Sequence, residues 1–203
     1  MSIYTKARKH LEKVDPVLFE ALTKIGDPDL PTKRVPSEYF QALCNEIIAQ
    51  QLSGKVADVI FGRFLSLFLN QEVTPKAILN LTHDQLRGVG MSNSKASFLH
   101  DLAQKVETRQ LELEKLSGLT NQEVLTHLTK VKGIGPWTAE MFLMFTLGRS
   151  DLFSLGDQGL KNAIKRLYNL ETTTPEVLTT ISSKWSPYRT YACLILWKSL
   201  DNR

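Results

Sequence analysis

The sequence predicts an all-α protein, on three observations. Apolar residues recur at helical spacing along most of its 203 residues, as in Phe40, Leu43, Ile47 and Ile48, or Ala96, Leu99, Leu102 and Val106. Strict apolar–polar alternation over the length of a strand is hard to find. Two segments, residues 137–147 and 188–196, are apolar nearly all round. A helix with no polar face belongs in the middle of a bundle, so these two are the expected core helices.

In chain order, helix starts are marked by a small polar side chain that can accept from a free backbone N–H or by a Pro suited to the first turn. These fall at Asp15-Pro16, Pro36-Ser37, Thr74-Pro75, Thr82, Ser92, Thr120, Thr174-Pro175 and Ser186-Pro187. They imply about a dozen short helices. The run Gly26-Asp27-Pro28-Asp29-Leu30-Pro31 is a loop that separates a first helical hairpin from the rest. No repeat and no low-complexity tract interrupts the pattern.

Composition narrows the class. With 42% hydrophobic and 23% charged residues, 11 Gly and 8 Pro, the chain is neither disordered nor fibrous. A chain of this length buries roughly 70% of its extended surface, enough for a core without disulfides or a structural metal. Its 2 cysteines, Cys44 and Cys193, form no Cys-x-x-Cys pair. That excludes a zinc ribbon, a disulfide framework and a four-cysteine iron–sulfur cluster, and points to buried thiols in a reducing compartment. Residues 1–14 carry charges with no apolar stretch behind them, unlike a secretory signal, and no apolar run approaches the ~20 residues of a membrane span. A cytoplasmic or nuclear location is expected. The formal charge is +4. All of that excess lies between residues 161 and 203, where Lys161, Lys165, Arg166, Lys184, Arg189, Lys198 and Arg203 face three acids, Glu171, Glu176 and Asp201. A polyanionic partner fits this distribution, and so does an ordinary basic surface.

The most informative stretch is Val131-Lys132-Gly133-Ile134-Gly135-Pro136-Trp137-Thr138-Ala139, between a helical segment (121–130) and the first core helix. Two glycines around one apolar residue permit a tight helix–hairpin–helix, with Ile134 plugged into the core and backbone N–H groups turned outward. Such donors at a helix N-terminus make a site for one backbone phosphate. A plain glycine-rich connection is the alternative. About twenty residues beyond Gly135, Asp157 opens the next helix. Asp there is a common N-cap worth ~1 kcal/mol, but an antiparallel return also brings it to the cleft edge at which the hairpin grips a phosphate. The four histidines, His10, His83, His100 and His127, show no metal-ligand spacing and read as helix-surface residues.

These residues resemble the helix-hairpin-helix DNA glycosylase superfamily and, within it, the alkyladenine branch, DNA-3-methyladenine glycosylase II. The resemblance rests on four motifs in order across 37–197. They are Ile47-Ile48-Ala49-Gln50-Gln51-Leu52-Ser53; Gly133-Ile134-Gly135-Pro136-Trp137-Thr138-Ala139; Asp151-Leu152-Phe153 leading to Asp157 and Lys161; and Lys184-Trp185-Ser186-Pro187-Tyr188-Arg189-Thr190-Tyr191-Ala192 with Trp197. It implies two helical lobes with a cleft between them. One is a bundle over roughly 43–150 containing the hairpin at 121–147, and the other is built from residues 1–42 and 151–203. Some relatives carry an additional N-terminal β domain that this chain is too short to hold, and some carry a second Asp where this chain has Gly156.

The resemblance also implies an activity: a monofunctional glycosylase that flips an alkylated purine such as 3-methyladenine or 7-methylguanine and hydrolyses its N-glycosidic bond, initiating base excision repair. Asp157 is then the carboxylate opposing positive charge on the sugar. Trp137, Trp197 and Met141 form the base pocket, and Gly133, Ile134, Gly135 and Thr138 hold the DNA backbone. Gly90 and Ser92, in the turn Arg87-Gly88-Val89-Gly90-Met91-Ser92, offer a second phosphate contact or simply cap a helix. Gln51, with Leu52 as the alternative, is the wedge that fills the gap left by the flipped base. No cofactor is required, although a structural monovalent cation at the hairpin goes with the resemblance. The expected partner is double-stranded DNA carrying alkylated bases, bound by a monomer with no membrane. Relatives with lyase activity use a Lys two residues after the second hairpin glycine, where this chain has Trp137; Lys132 is expected to face solvent. A non-catalytic helix-hairpin-helix DNA-binding protein is the competing reading.

Overall fold

The protein is described by a computed structural model over residues 3–201, among which there are helices and no strand. Twelve α-helices follow one another: α1 (Ile3–Val14), α2 (Pro16–Ile25), α3 (Tyr39–Ala49), α4 (Gly54–Leu65), α5 (Pro75–Leu79), α6 (His83–Gly88), α7 (Asn93–Glu107), α8 (Asn121–Leu128), α9 (Pro136–Phe145), α10 (Gln158–Leu167), α11 (Pro175–Ser183) and α12 (Arg189–Asp201). The chain divides into two compact units, a mid-chain unit of residues 33–147 and a terminal unit of residues 1–32 and 148–203.

Most of the start signals work as side-chain caps, whereas Pro36-Ser37 opens a short 3-10 turn ahead of α3. Thr74, Thr82, Ser92, Thr120 and Thr174 each accept from the backbone N–H three residues on. At Thr82 and Thr120 the third helical residue, Gln85 or Glu123, reaches back to complete a capping box. In the mid-chain unit α3 packs against α4, α7 and α9. Leu43, Ile47 and Ile48 of α3, Leu99 and Leu102 of α7, and Phe142 and Leu143 of α9 are fully buried. Tyr39 and Phe142 meet edge to face at 5.7 Å between centroids. Six of the ten residues of α9 are buried, as its missing polar face requires.

In the terminal unit α12 packs on α2 and α10. Asp15, at 4% exposure, joins the elements. Its Oδ1 accepts from Leu18 N at 3.0 Å, and its Oδ2 accepts from Tyr168 Oη at 2.6 Å and Trp185 Nε1 at 2.7 Å. A buried carboxylate is tolerated because donors satisfy it. Burial, with the neighbouring Asp15 carboxylate, raises the Tyr168 hydroxyl far above its ordinary value.

Three expectations are corrected. α12 starts at Arg189 rather than at Ser186-Pro187, because its start is held from outside. Asp151 Oδ1 accepts from Arg189 N at 3.3 Å and from its Nε at 2.6 Å, while Oδ2 accepts from Arg189 Nη2 at 3.0 Å and Ser186 Oγ at 2.9 Å. Partial burial works to raise the Asp151 pKa, but these donors prevail and hold it below its ordinary value. The basic excess of the last segment is partly engaged within the fold: Arg189 pairs with Asp151, Arg166 donates to Ser199 O, and Lys198 Nζ donates to Asp27 O at 2.7 Å. Arg203 lies outside the described residues. His100 is only partly a surface residue: it is half-buried, its Nε2 is buried with no hydrogen-bond partner among the described residues, and its ring meets that of His83 at 4.7 Å between centroids. Both cysteines are buried free thiols, as expected.

Candidate functional site

The hairpin belongs to the mid-chain unit. α8 ends at Leu128, and the turn closes with Val131 N donating to Leu128 O at 3.0 Å and Ile134 N to Val131 O at 3.1 Å. Ile134 is buried at 3% exposure. Gly133 takes φ +80°, a left-handed conformation suited to glycine. A Cβ there would also lie 2.0 Å from Phe98 Cδ2, so the ring of α7 packs on the bare Cα. Gly135 caps α9 from an extended conformation, with Pro136 at its first position. Besides Phe98, two side chains outside the motif grip this turn. Asp101 Oδ2 accepts from Lys132 N at 2.8 Å, and Gln50 Nε2 donates to Gly133 O at 2.8 Å and to Thr138 Oγ1 at 3.1 Å. The Thr138 side chain therefore faces inward and is engaged by Gln50. Lys132 is exposed.

Gln50 and Gln51 follow the C-terminus of α3. Gln51 is exposed and adopts φ +58°, uncommon for a residue with a side chain. Leu52 is half-buried. Both border a cavity of about 250 Å³ together with Gly90, Ser92 and Lys95. Gly90 has φ +106° and packs on Ile60, while the Ser92 hydroxyl accepts from Lys95 N and caps α7. Ser92 thus performs the capping role foreseen for it. Trp137 is 43% exposed, and Met141, one turn further along α9, is buried.

Asp157 belongs to the terminal unit. It is the N-cap of α10, as its place in the sequence suggests. Its Oδ1 caps α10 by accepting from Leu160 N at 2.7 Å and also accepts from Trp197 Nε1 at 3.1 Å. The residue is 7% exposed. α12 brings Trp197 to Asp157 across forty residues of sequence. Gly159 allows that approach: a Cβ there would lie 3.1 Å from Asp157 Oδ1 and 3.2 Å from Trp197 Cδ1. A carboxylate held between two N–H donors at a helix N-terminus keeps a fixed orientation, as an electrostatic catalyst requires.

Gln50, Lys95, Phe98, Asp101 and Gly159 carry no signal in the sequence as support for these groups, because each acts through a contact distant along the chain. No group of three or more His, Cys, Asp or Glu side chains among the described residues is arranged to hold a metal. No helix of the described residues is long and apolar enough to cross a membrane.

Comparison with known proteins places this geometry. Residues 44–187 match the HhH-GPD superfamily base excision DNA repair protein family. A putative DNA-3-methyladenine glycosylase of Bacillus subtilis, YfjP, is 36% identical over 169 residues, covering 80% of this chain and 59% of that relative's length. DNA-3-methyladenine glycosylase 1 of Schizosaccharomyces pombe is 31% identical over 198 residues, 96% of this chain and 87% of that one. Among solved structures, an S. pombe 3-methyladenine DNA glycosylase in complex with abasic DNA superposes with a TM-score of 0.83 at 30% identity, covering 95% of both chains. On its hairpin, its helical fold and these matches, the chain belongs to the HhH-GPD superfamily of base excision DNA repair proteins.

Proposed function

We propose that this protein is a monofunctional DNA glycosylase that removes alkylated purines from double-stranded DNA by hydrolysis. The observation that carries the reading is Asp157, a buried carboxylate held by Leu160 N–H and Trp197 Nε1–H. A module that only binds DNA needs the hairpin but no such acid. The resemblance of the chain to DNA-3-methyladenine glycosylases supports the same class.

The chemistry follows from charge. As the C1′–N bond breaks, its electron pair leaves with the base and positive charge grows on the sugar. Asp157 opposes that charge and orients a water, whose oxygen bonds to C1′ and whose proton is released. A purine made cationic by alkylation departs as a neutral molecule and needs no general acid. Its charge also favours stacking on indole faces, the role assigned to Trp137 and Trp197. Gly133 and Gly135 present backbone N–H groups to a phosphate, whereas the N–H groups of Ile134 and Gly90, also expected to do so, donate to Val131 O and Arg87 O within their own turns; Gln51 fills the space vacated in the duplex.

The test is direct. Methylated duplex DNA is incubated with the protein and the released material identified chromatographically. Free 3-methyladenine and 7-methylguanine are expected, and release of uracil or 8-oxoguanine well ahead of them overturns the assignment to alkylated purines.

A further inference from the structure

Gln51 is the exposed residue of a turn closed by Leu52 N donating to Ala49 O at 3.1 Å, and its φ of +58° is a conformation that costs free energy unless its surroundings hold it. Here they do, from two sides. Lys95 Nζ donates to Ile48 O at 2.8 Å and to Gln50 O at 2.7 Å, satisfying two carbonyls at the end of α3. The Gln50 side chain reaches the other way, to Gly133 O and Thr138 Oγ1 of the hairpin. The peptide that joins Gln50 to Gln51 is therefore anchored at its carbonyl by a cation from α7, and the Gln50 side chain is anchored to the phosphate-binding turn.

We infer that Lys95 and Gln50 are positioning residues that hold Gln51 ready for insertion and fix it in register with the hairpin. The inference rests on the glycosylase reading and on Gln51 as the wedge. Neither residue touches the reacting bond. Both act on the step in which the base leaves the stack, because a wedge already in its inserted conformation loses little freedom on entering the duplex. A side chain hanging from an unanchored turn would have to be ordered by the DNA itself. The cavity bordered by Gln51, Leu52, Gly90 and Lys95 lies beside this turn and is what the loop could relax into once Lys95 is shortened or neutralised.

The experiment separates flipping from chemistry. Single-turnover release of N7-methylguanine is measured for Lys95→Met, Lys95→Arg, Gln50→Met and Gln51→Ala on two duplexes, one with cytosine and one with an abasic analogue opposite the lesion. Lys95→Met and Gln50→Met are expected to lose about tenfold or more on the paired duplex, the scale of one or two lost hydrogen bonds to a charged or buried partner. On the abasic-opposed duplex, where the base is already unpaired, the loss should be less than about threefold. Lys95→Arg, which keeps a donor for both carbonyls, should recover most of the rate. Adding Gln51→Ala to Lys95→Met should cost little more than either change alone. Equal losses on both duplexes, or additive effects with Gln51→Ala, overturn the inference. Release by the wild type from the abasic-opposed duplex supports the glycosylase reading whatever the variants do, and absence of release from either duplex refutes that reading and the inference together. Gln50→Met, with an apolar side chain of similar length, tests the inference should Lys95→Met fail to fold.

Discussion

Replacing Gly159 with Ala should slow base release without destabilising the protein, a combination that follows from the contacts around that Cα. The added methyl would stand 3.1 Å from Asp157 Oδ1 and 3.2 and 3.3 Å from Trp197 Cδ1 and Nε1, where ordinary contact begins at 3.4 Å. The carboxylate and the indole must each give by a few tenths of an ångström. Their hydrogen bond, at 3.1 Å, is already near the long end of the N–H···O range and has little room to stretch. Bonds to charged groups contribute ~1.5–3 kcal/mol, and if orientation of the Asp157 carboxylate depends on this one, the rate falls by ~10–100-fold. The helix gains up to ~1 kcal/mol from Ala over Gly, which offsets the crowding. Single-turnover release of N7-methylguanine, with thermal unfolding followed by circular dichroism, reads both quantities. An unchanged rate would show that the Trp197 contact does not orient the carboxylate. A rate loss matched by a large fall in melting temperature would show that Gly159 serves packing alone.

Further outcomes follow from the same geometry. Gly133→Ala forces φ +80° on a residue with a side chain, ~1–2 kcal/mol, and drives a methyl into Phe98, so melting temperature and duplex affinity should both fall; a second change, Phe98→Ala, should restore part of the affinity by making room. Burial pushes the Glu46 carboxyl up to about 7, against the pull of Arg34. Because that lies above the unfolded value of ~4.3, the folded state holds the extra proton between the two, and stability falls as pH rises from the lower value through the higher. Glu46→Gln should flatten this slope and raise stability near pH 8 by up to about 3 kcal/mol, checked by urea unfolding near pH 5 and pH 8; an unchanged slope would contradict the assignment. Borohydride added during turnover should trap no protein–DNA adduct, since Trp137 offers no amine for a Schiff base; abundant adduct would make the enzyme a lyase.

Local rules made much of this molecule legible. Caps at Thr74, Thr82, Ser92, Thr120 and Thr174 act within three residues of themselves, so the sequence carries them directly. The apolar circumference of α9 announced its burial for the same reason. Asp157 was visible as a cap, and only its link to Trp197 and the space left by Gly159 distinguish it from other capping residues. What stayed hidden depends on chain partners far away. The start of α12 is decided by Asp151, and the hairpin is gripped by Gln50, Phe98 and Asp101. Charge counting failed in part of the last segment because Arg166, Arg189 and Lys198 satisfy carbonyls and a carboxylate of their own unit.

The central claim is that the Asp157 carboxylate performs the chemistry, and Asp157→Asn tests it most directly. Asn caps helices about as well as Asp, so α10 and the helical circular dichroism should persist while the charge is lost. Release of N7-methylguanine in a single turnover should drop by about a thousandfold or more, with duplex affinity changed by less than about threefold, since phosphate contacts dominate binding. An Asp157→Asn variant that folds and releases the base at an ordinary rate would reduce Asp157 to a helix cap and contradict the account.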